Sequence, residues 1–231
     1  MDLARARAYG SSRPELLRLL PREQGPVLDV GCSTGMLGAA IKQRHPDQVV
    51  WGIEVDPAAA AKACARLDRV LTMDALEAVD FVEAEGLRPR IVIFADSLEH
   101  MLDPWTVFDR YVSLVPGGGY VLASLPNVAH WDTFWNLLRG RWPYRSRGIH
   151  DDTHLRFFGR HNVLALMNRG DARLIRLKRV LRLVERPSMV NRLAPLLCRL
   201  TPGPFTYQYL AIARIERTVD RIEERGDDGF K

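Results

Sequence analysis

The stretch PVLDVGCSTGMLGAAI, residues 26–41, sets a carboxylate beside a glycine turn. An apolar run carries Asp29, then Gly31, Cys32, Ser33 and Gly35 follow, and a helix-like pattern begins. Glycines at such a turn let backbone approach a ligand closely. A dinucleotide turn needs G-x-G-x-x-G so that main chain can meet a pyrophosphate, and Ser33 and Met36 break that spacing. Asp29 would also repel a phosphate. The ligand that suits this turn carries positive charge and no phosphate. S-adenosylmethionine (SAM), with its ammonium and sulfonium, answers that description.

A second cluster lies downstream, where His150, Asp151, Asp152 and His154 occupy five positions. It admits three chemistries: a divalent metal site, a general base for a hydroxyl, or a structural His bonded to a loop carbonyl. No further ligand cluster is visible and SAM chemistry needs no metal, so none is assigned. His154 is the favoured base, ahead of His150, with Asp151 or Asp152 fixing its tautomer. His100 reads as a packed or capping residue. Trp131, Trp135, Trp142 and Tyr144 offer surfaces for a sugar face or an aromatic ring, or plain packing.

These groups need a frame. Apolar runs at 26–30, 49–55, 69–73, 89–96 and 119–126 read as strands, and 34–44, 58–66 and 104–115 as helices. Strand–helix alternation predicts a parallel sheet covered on both faces. After residue 126 the pattern changes. Residues 130–139 and 160–170 read as helices around a polar loop at 140–155. The run ARLIRLKRVLRLVE alternates apolar and basic residues, as a strand with one wet face does. A helix near 189–199 and a strand at 205–215 follow. The expected fold is α/β, Rossmann-like and doubly wound, with a mostly parallel seven-stranded sheet, an antiparallel C-terminal strand and a lid insertion after strand 5. We read residues 1–231 as one domain, with 127–160 as the acceptor-side lid and 216–231 as a frayed tail.

A hydrophobic content of 47% in 231 residues supports a well-buried core and excludes global disorder. The N-terminal segment lacks a signal-peptide apolar region, and no stretch reaches membrane-span length. Three cysteines at unrelated spacings suit a reducing compartment, so a cytoplasmic location is expected. Residues 139–199 carry fourteen Arg and one Lys against four acids, a net +11 that leaves −6 elsewhere. Such a block invites an anionic partner or reflects Arg-rich coding.

VLDVGCSTG resembles the first motif of the class I SAM-dependent methyltransferases, with Ser33 in place of their middle glycine. WGIEVDP, MDALE and FADSLEHMLDP resemble the second, third and fourth motifs. The resemblance implies that Glu54 accepts the ribose hydroxyls, with Val55 beside it. It implies that Asp74 accepts the adenine amine, with Met73 and Ala75 flanking the ring. Asp96, Ser97 and Leu98 would line the sulfonium and the acceptor entrance. ADSLEH lacks the (Asp/Asn)-Pro-Pro-(Tyr/Phe) of base-amine methylation. LEH resembles the coenzyme Q and menaquinone methyltransferase group instead. The segment from LPNVAHW to HLRFFGRHNVLALM is similar to a subgroup found with sugar- and polysaccharide-modifying enzymes. The implied function is SAM-dependent methylation of a hydroxyl on a small molecule or glycan, base-assisted or by proximity. The basic block allows that acceptor to be anionic or borne on a membrane surface. The alternatives are an RNA-binding methyltransferase using residues 139–199 and a non-catalytic SAM-binding partner protein. Nucleic acid is the less favoured partner. The oligomeric state is not written in the chain, a homodimer being one arrangement.

Overall fold

The computed structural model describes residues 12–23, 25–184, 188–193 and 203–217. Along the chain run α1 (Pro14–Leu17), β1 (Val27–Val30), α2 (Met36–Arg44), β2 (Val50–Ile53), α3 (Pro57–Cys64) and β3 (Arg69–Leu71). Next come α4 (Ala75–Ala84), β4 (Ile91–Ala95), a 3-10 turn (Leu98–His100), α5 (Pro104–Leu114) and β5 (Tyr120–Pro126). The chain continues through α6 (Trp131–Leu138), α7 (Arg160–Leu166), β6 (Ala172–Leu181), a second 3-10 turn (Met189–Leu193) and β7 (Thr206–Ile215).

Seven strands form one sheet in the order β3-β2-β1-β4-β5-β7-β6. β7 runs antiparallel to both neighbours, and the other pairings are parallel. This is the expected architecture. Chain order reverses between β1 and β4, which opens a crevice outside their carboxyl ends.

Strand residues alternate between the two faces. Leu28, Val30, Val92 and Phe94 pack with Val79 and Val82 of α4, Phe108 and Tyr111 of α5, and Val163 and Leu166 of α7. Val27, Ile91 and Ile93 pack on the other face with Leu16 and Leu17 of α1, Leu37 and Ile41 of α2, and Ala63 of α3. Asp29 shares the face of Val27, so it points toward the α1 side. Acids start three of the helices. Asp56, Asp74 and Asp103 each accept backbone N–H bonds at an N-cap, from Ala58, Leu76, and Trp105 with Thr106.

Two elements differ from expectation. Helix α4 was not anticipated: Asp74 reads first as a ligand residue, and Val79, Phe81 and Val82 favour strands. The helix expected near 189–199 appears as a 3-10 turn over Met189–Leu193, and 194–199 lie outside the described residues. The tail expected at 216–231 lies outside them from residue 218 on. The basic block also divides. Arg173, Arg176, Lys178 and Arg179 are exposed on β6, the edge strand. Charges there deter edge-to-edge pairing, so that part of the block has a structural explanation.

Candidate functional site

The loop between β1 and α2 is built from left-handed residues. Gly31, Ser33 and Gly35 have φ of 79°, 49° and 74°. Ser33 thus takes, at some strain, a conformation that glycine takes freely. A Cβ on Gly31 would stand 2.6 Å from Ser97 Cβ. Gly31 is therefore required by packing of this loop on the residue after β4, and not only by approach of a ligand. One on Gly35 would crowd Ala63 at 3.0–3.1 Å, so Gly35 lets α2 seat against α3.

Four of the loop amides are already used. Gly31 N and Cys32 N donate to the Ile53 carbonyl at 2.8 and 2.9 Å, and Gly35 N to the Cys32 carbonyl at 2.9 Å. Ser33 N donates to Glu54 Oε2 at 2.8 Å. Four of the loop's donors are thus engaged within the protein. What it offers instead is negative charge.

Asp29 is 1% exposed, and its Oδ1 has no hydrogen-bond partner. Burial pushes its carboxyl up to about 7, against the pull of Arg13. Ser97 Oγ and Glu99 Oε2 are likewise buried without a partner. Two of these, Asp29 Oδ1 and Ser97 Oγ, lie on β1 and just after its neighbour β4, where buried groups are normally satisfied. They fit a polar, cationic ligand seated in the crevice. Glu54 Oε1 accepts from Asp56 N at 2.9 Å, so two backbone bonds hold this carboxylate at the end of β2. Val55, 68% exposed, and Asp74, exposed at the end of β3, continue the same edge, and Ala75 is half-buried beside Asp74.

Asp96 is left-handed at φ 55° and is gripped from three sides. Ser124 Oγ donates to its Oδ1 at 2.6 Å, Gln208 Nε2 donates to the same oxygen, and Arg13 forms an ion pair with Oδ2. Sequence reasoning missed Arg13. It precedes α1 and lies in the field of both Asp29 and Glu99.

Two expected cofactor residues need correction. Leu98 is fully buried in the core with Phe94 and Phe108, so its side chain does not line the entrance. Cys32 is 5% exposed and packs toward Leu67 and the space above Gly52. Burial raises its thiol, which makes it a packing residue.

The downstream cluster separates. His150 is wholly buried, bonded to Thr133 Oγ1 at 3.0 Å and stacked edge-on to Trp142 at 5.2 Å. Sealed inside, it cannot reach an acceptor, and the expectation of a base there is corrected. Asp152 is exposed, and the tautomer of His154 is fixed by a backbone carbonyl. His154 Nδ1 lies 3.2 Å from the Ile149 carbonyl and donates to it, which leaves Nε2 as the acceptor nitrogen. The His154 ring stands 4.7 Å from that of His100, at 70°. Burial and His100 bring His154 down to about 4, so it is neutral at cellular pH but a weak proton acceptor. Among the aromatics, Trp131 Nε1 donates to the Leu183 carbonyl at 2.7 Å and Trp142 sits between His150 and Phe157. Those two are structural. Trp135 and Tyr144 are exposed.

The buried Asp29 carboxyl gives a pH signature. Its pKa is raised from 3.8 to about 7, so its stabilising contribution is complete below about pH 4 and is lost as pH rises through 7. Melting temperatures of the ligand-free protein are expected to fall from pH 5 to pH 8, and Asp29→Asn to flatten that fall. Equal slopes in both proteins would refute the burial argument.

Residues 3–177 match the family model for a methyltransferase domain. A trans-aconitate 2-methyltransferase of Escherichia coli K12 is 33% identical over 125 residues, which are 50% of this chain and 46% of that protein. One from Methylobacterium radiotolerans is 31% identical over 115 residues, 49% and 43% of the two chains. The match therefore spans about half the length of these curated relatives. A SAM-dependent methyltransferase from Archaeoglobus fulgidus has the same fold, with TM-score 0.60 and 16% identity over 91% of this chain and 94% of its own. So does magnesium protoporphyrin IX methyltransferase from Synechocystis with bound SAH, with TM-score 0.59 and 14% identity over 92% and 83%.

Proposed function

This chain belongs to the methyltransferase domain family, and from that membership we propose that it moves the methyl of SAM to a hydroxyl on a small molecule or glycan. Its methyl donor is SAM, whose positive charges meet the site's carboxylates. The observation that carries the reading is the buried Asp29 carboxyl, whose Oδ1 has no partner, beside a loop that already uses its Gly31, Cys32, Ser33 and Gly35 amides. Glu54 takes the ribose hydroxyls, Asp74 the adenine amine through the carboxylate oxygen not used in its helix cap, and Asp96 and Ser97 the region of the sulfonium. The acceptor stands on the side of His154, which assists loss of the hydroxyl proton. The transfer is an in-line displacement, so the protein's main work is to position the two reactants and exclude water. No helix among the described residues is long and apolar enough to cross a membrane.

A second reading is favoured by one finding, the partial match to trans-aconitate 2-methyltransferases. A carboxylate acceptor is already a nucleophile and needs no base, and the basic block suits an acidic molecule. The test is formation of S-adenosylhomocysteine from SAM against parallel panels of sugar nucleotides, phenols and polycarboxylates. Turnover of hydroxyl acceptors is the expected result; turnover confined to polycarboxylates replaces the first reading with the second.

A further inference from the structure

The 3-10 turn Leu98–His100 buries Glu99, at 1% exposure, and leaves His100 half-exposed. Glu99 Oε2 has no hydrogen-bond partner, and a buried carboxylate is costly unless positive charge meets it. The Glu99 carbonyl accepts from Leu155 N at 2.9 Å and Arg156 N at 3.0 Å. Those bonds draw the His154 segment onto the turn and bring the two imidazoles together. His154 Nδ1 faces the Ile149 carbonyl and His100 Nδ1 the Thr153 carbonyl, each at 3.2 Å. Imidazoles that hold a metal bond their second nitrogen to a carbonyl or carboxylate in this manner. One donor atom from each of Glu99, His100 and His154 lies within 4.8 Å of the others.

We propose that Glu99, His100 and His154 form a binding site for a divalent transition ion, on which the acceptor hydroxyl is activated. The activation rests on the hydroxyl reading above; the ion site rests on the three side chains alone. Bonds of about 2.1 Å at 90–109° put donors roughly 3.0–3.4 Å apart, so the set closes by about an ångström or more on binding, through side-chain rotation. Two imidazoles and one carboxylate suit zinc, manganese or ferrous iron better than the all-oxygen preference of magnesium or calcium. Three protein ligands leave positions open for the acceptor oxygen. The coordinated O–H releases its proton to solvent, and the oxygen lone pair forms the bond to the methyl carbon. The carbon–sulfur bond breaks with its electron pair left on the sulfur of S-adenosylhomocysteine.

The experiment is a titration of the chelator-dialysed full chain with Co2+, read by visible absorption. One equivalent is expected to bind, with Glu99→Gln and His154→Ala each weakening affinity at least about tenfold. Exposed His161 on α7 serves as a control, and His161→Ala is expected to leave affinity unchanged. Glu99→Gln keeps volume and removes charge, and a melting curve confirms its fold. The proposal is overturned if the wild type gives no absorption change, or if all variants bind alike. It is also overturned if the chelated wild type keeps full methyl transfer while His154→Ala loses it; His154 then acts without an ion and the functional reading stands. If Co2+ binds as expected but no hydroxyl is methylated, the site stands and the functional reading falls.

Discussion

Glu54→Ala raises the dissociation constant for SAM by roughly 10- to 150-fold, the equivalent of about 1.5–3 kcal/mol for charge-assisted hydrogen bonds. Glu54 is held before any ligand arrives, by Ser33 N on one oxygen and Asp56 N on the other. Each oxygen keeps a lone pair for a ribose hydroxyl, so little ordering is left to do on binding. The alanine variant also strips a partner from Ser33 N and loosens the β1–α2 loop. Glu54→Gln separates the two effects, because it keeps the volume and one acceptor oxygen while losing the charge. Its expected loss falls between wild type and alanine. Calorimetry showing unchanged SAM affinity in both variants would sink the ribose assignment. Gly31→Val is a poorer test, since its Cβ would strike Ser97 whatever the ligand.

The strands that position this site were legible because β1, β2, β4 and β5 are buried on both faces and read as apolar runs. β6 was legible for the opposite reason: its wet side carries Arg and Lys between Leu and Val. The glycine positions after β1 were legible because a left-handed turn demands them there. Helix α4 escaped because its cap, Asp74, also reads as a ligand residue. Contacts across the chain escaped altogether. Nothing in the sequence says that Arg13 meets Asp96, 83 positions away. Nor does it say that Glu99 receives Leu155, which is what joins His100 to His154. Local crowding even misled. His150 and His154 sit four positions apart, yet the bridge between Arg145 and Asp151 turns the loop back and sends His150 inward. The strand ends are therefore plainer in the sequence than the part of the site built from loop-to-loop contacts.

His154→Ala is expected to cut kcat on a hydroxyl acceptor by about 10²–10⁴-fold, with SAM affinity within a factor of a few. In the proposed reading the ring serves the acceptor side; its neighbours in the structure are His100 and the Ile149 carbonyl. Removing it leaves the Ile149 carbonyl unbonded, so a second variant is needed. His154→Gln keeps a donor for that carbonyl and loses the imidazole lone pair. Loss of kcat in both variants with intact melting curves assigns the effect to the lone pair, whereas rescue by Gln makes the role structural. The pH profile adds a constraint. With its pKa near 4, His154 is already deprotonated throughout pH 5–8 and contributes no acid limb there. An acid limb near pH 6.5 that vanishes in the variant would show an ordinary imidazole in place of the buried one. The acceptor class decides the remaining case. A carboxylate acceptor brings its own negative charge, so His154→Ala would leave kcat unchanged, and that result would transfer the chemistry from hydroxyl to acid.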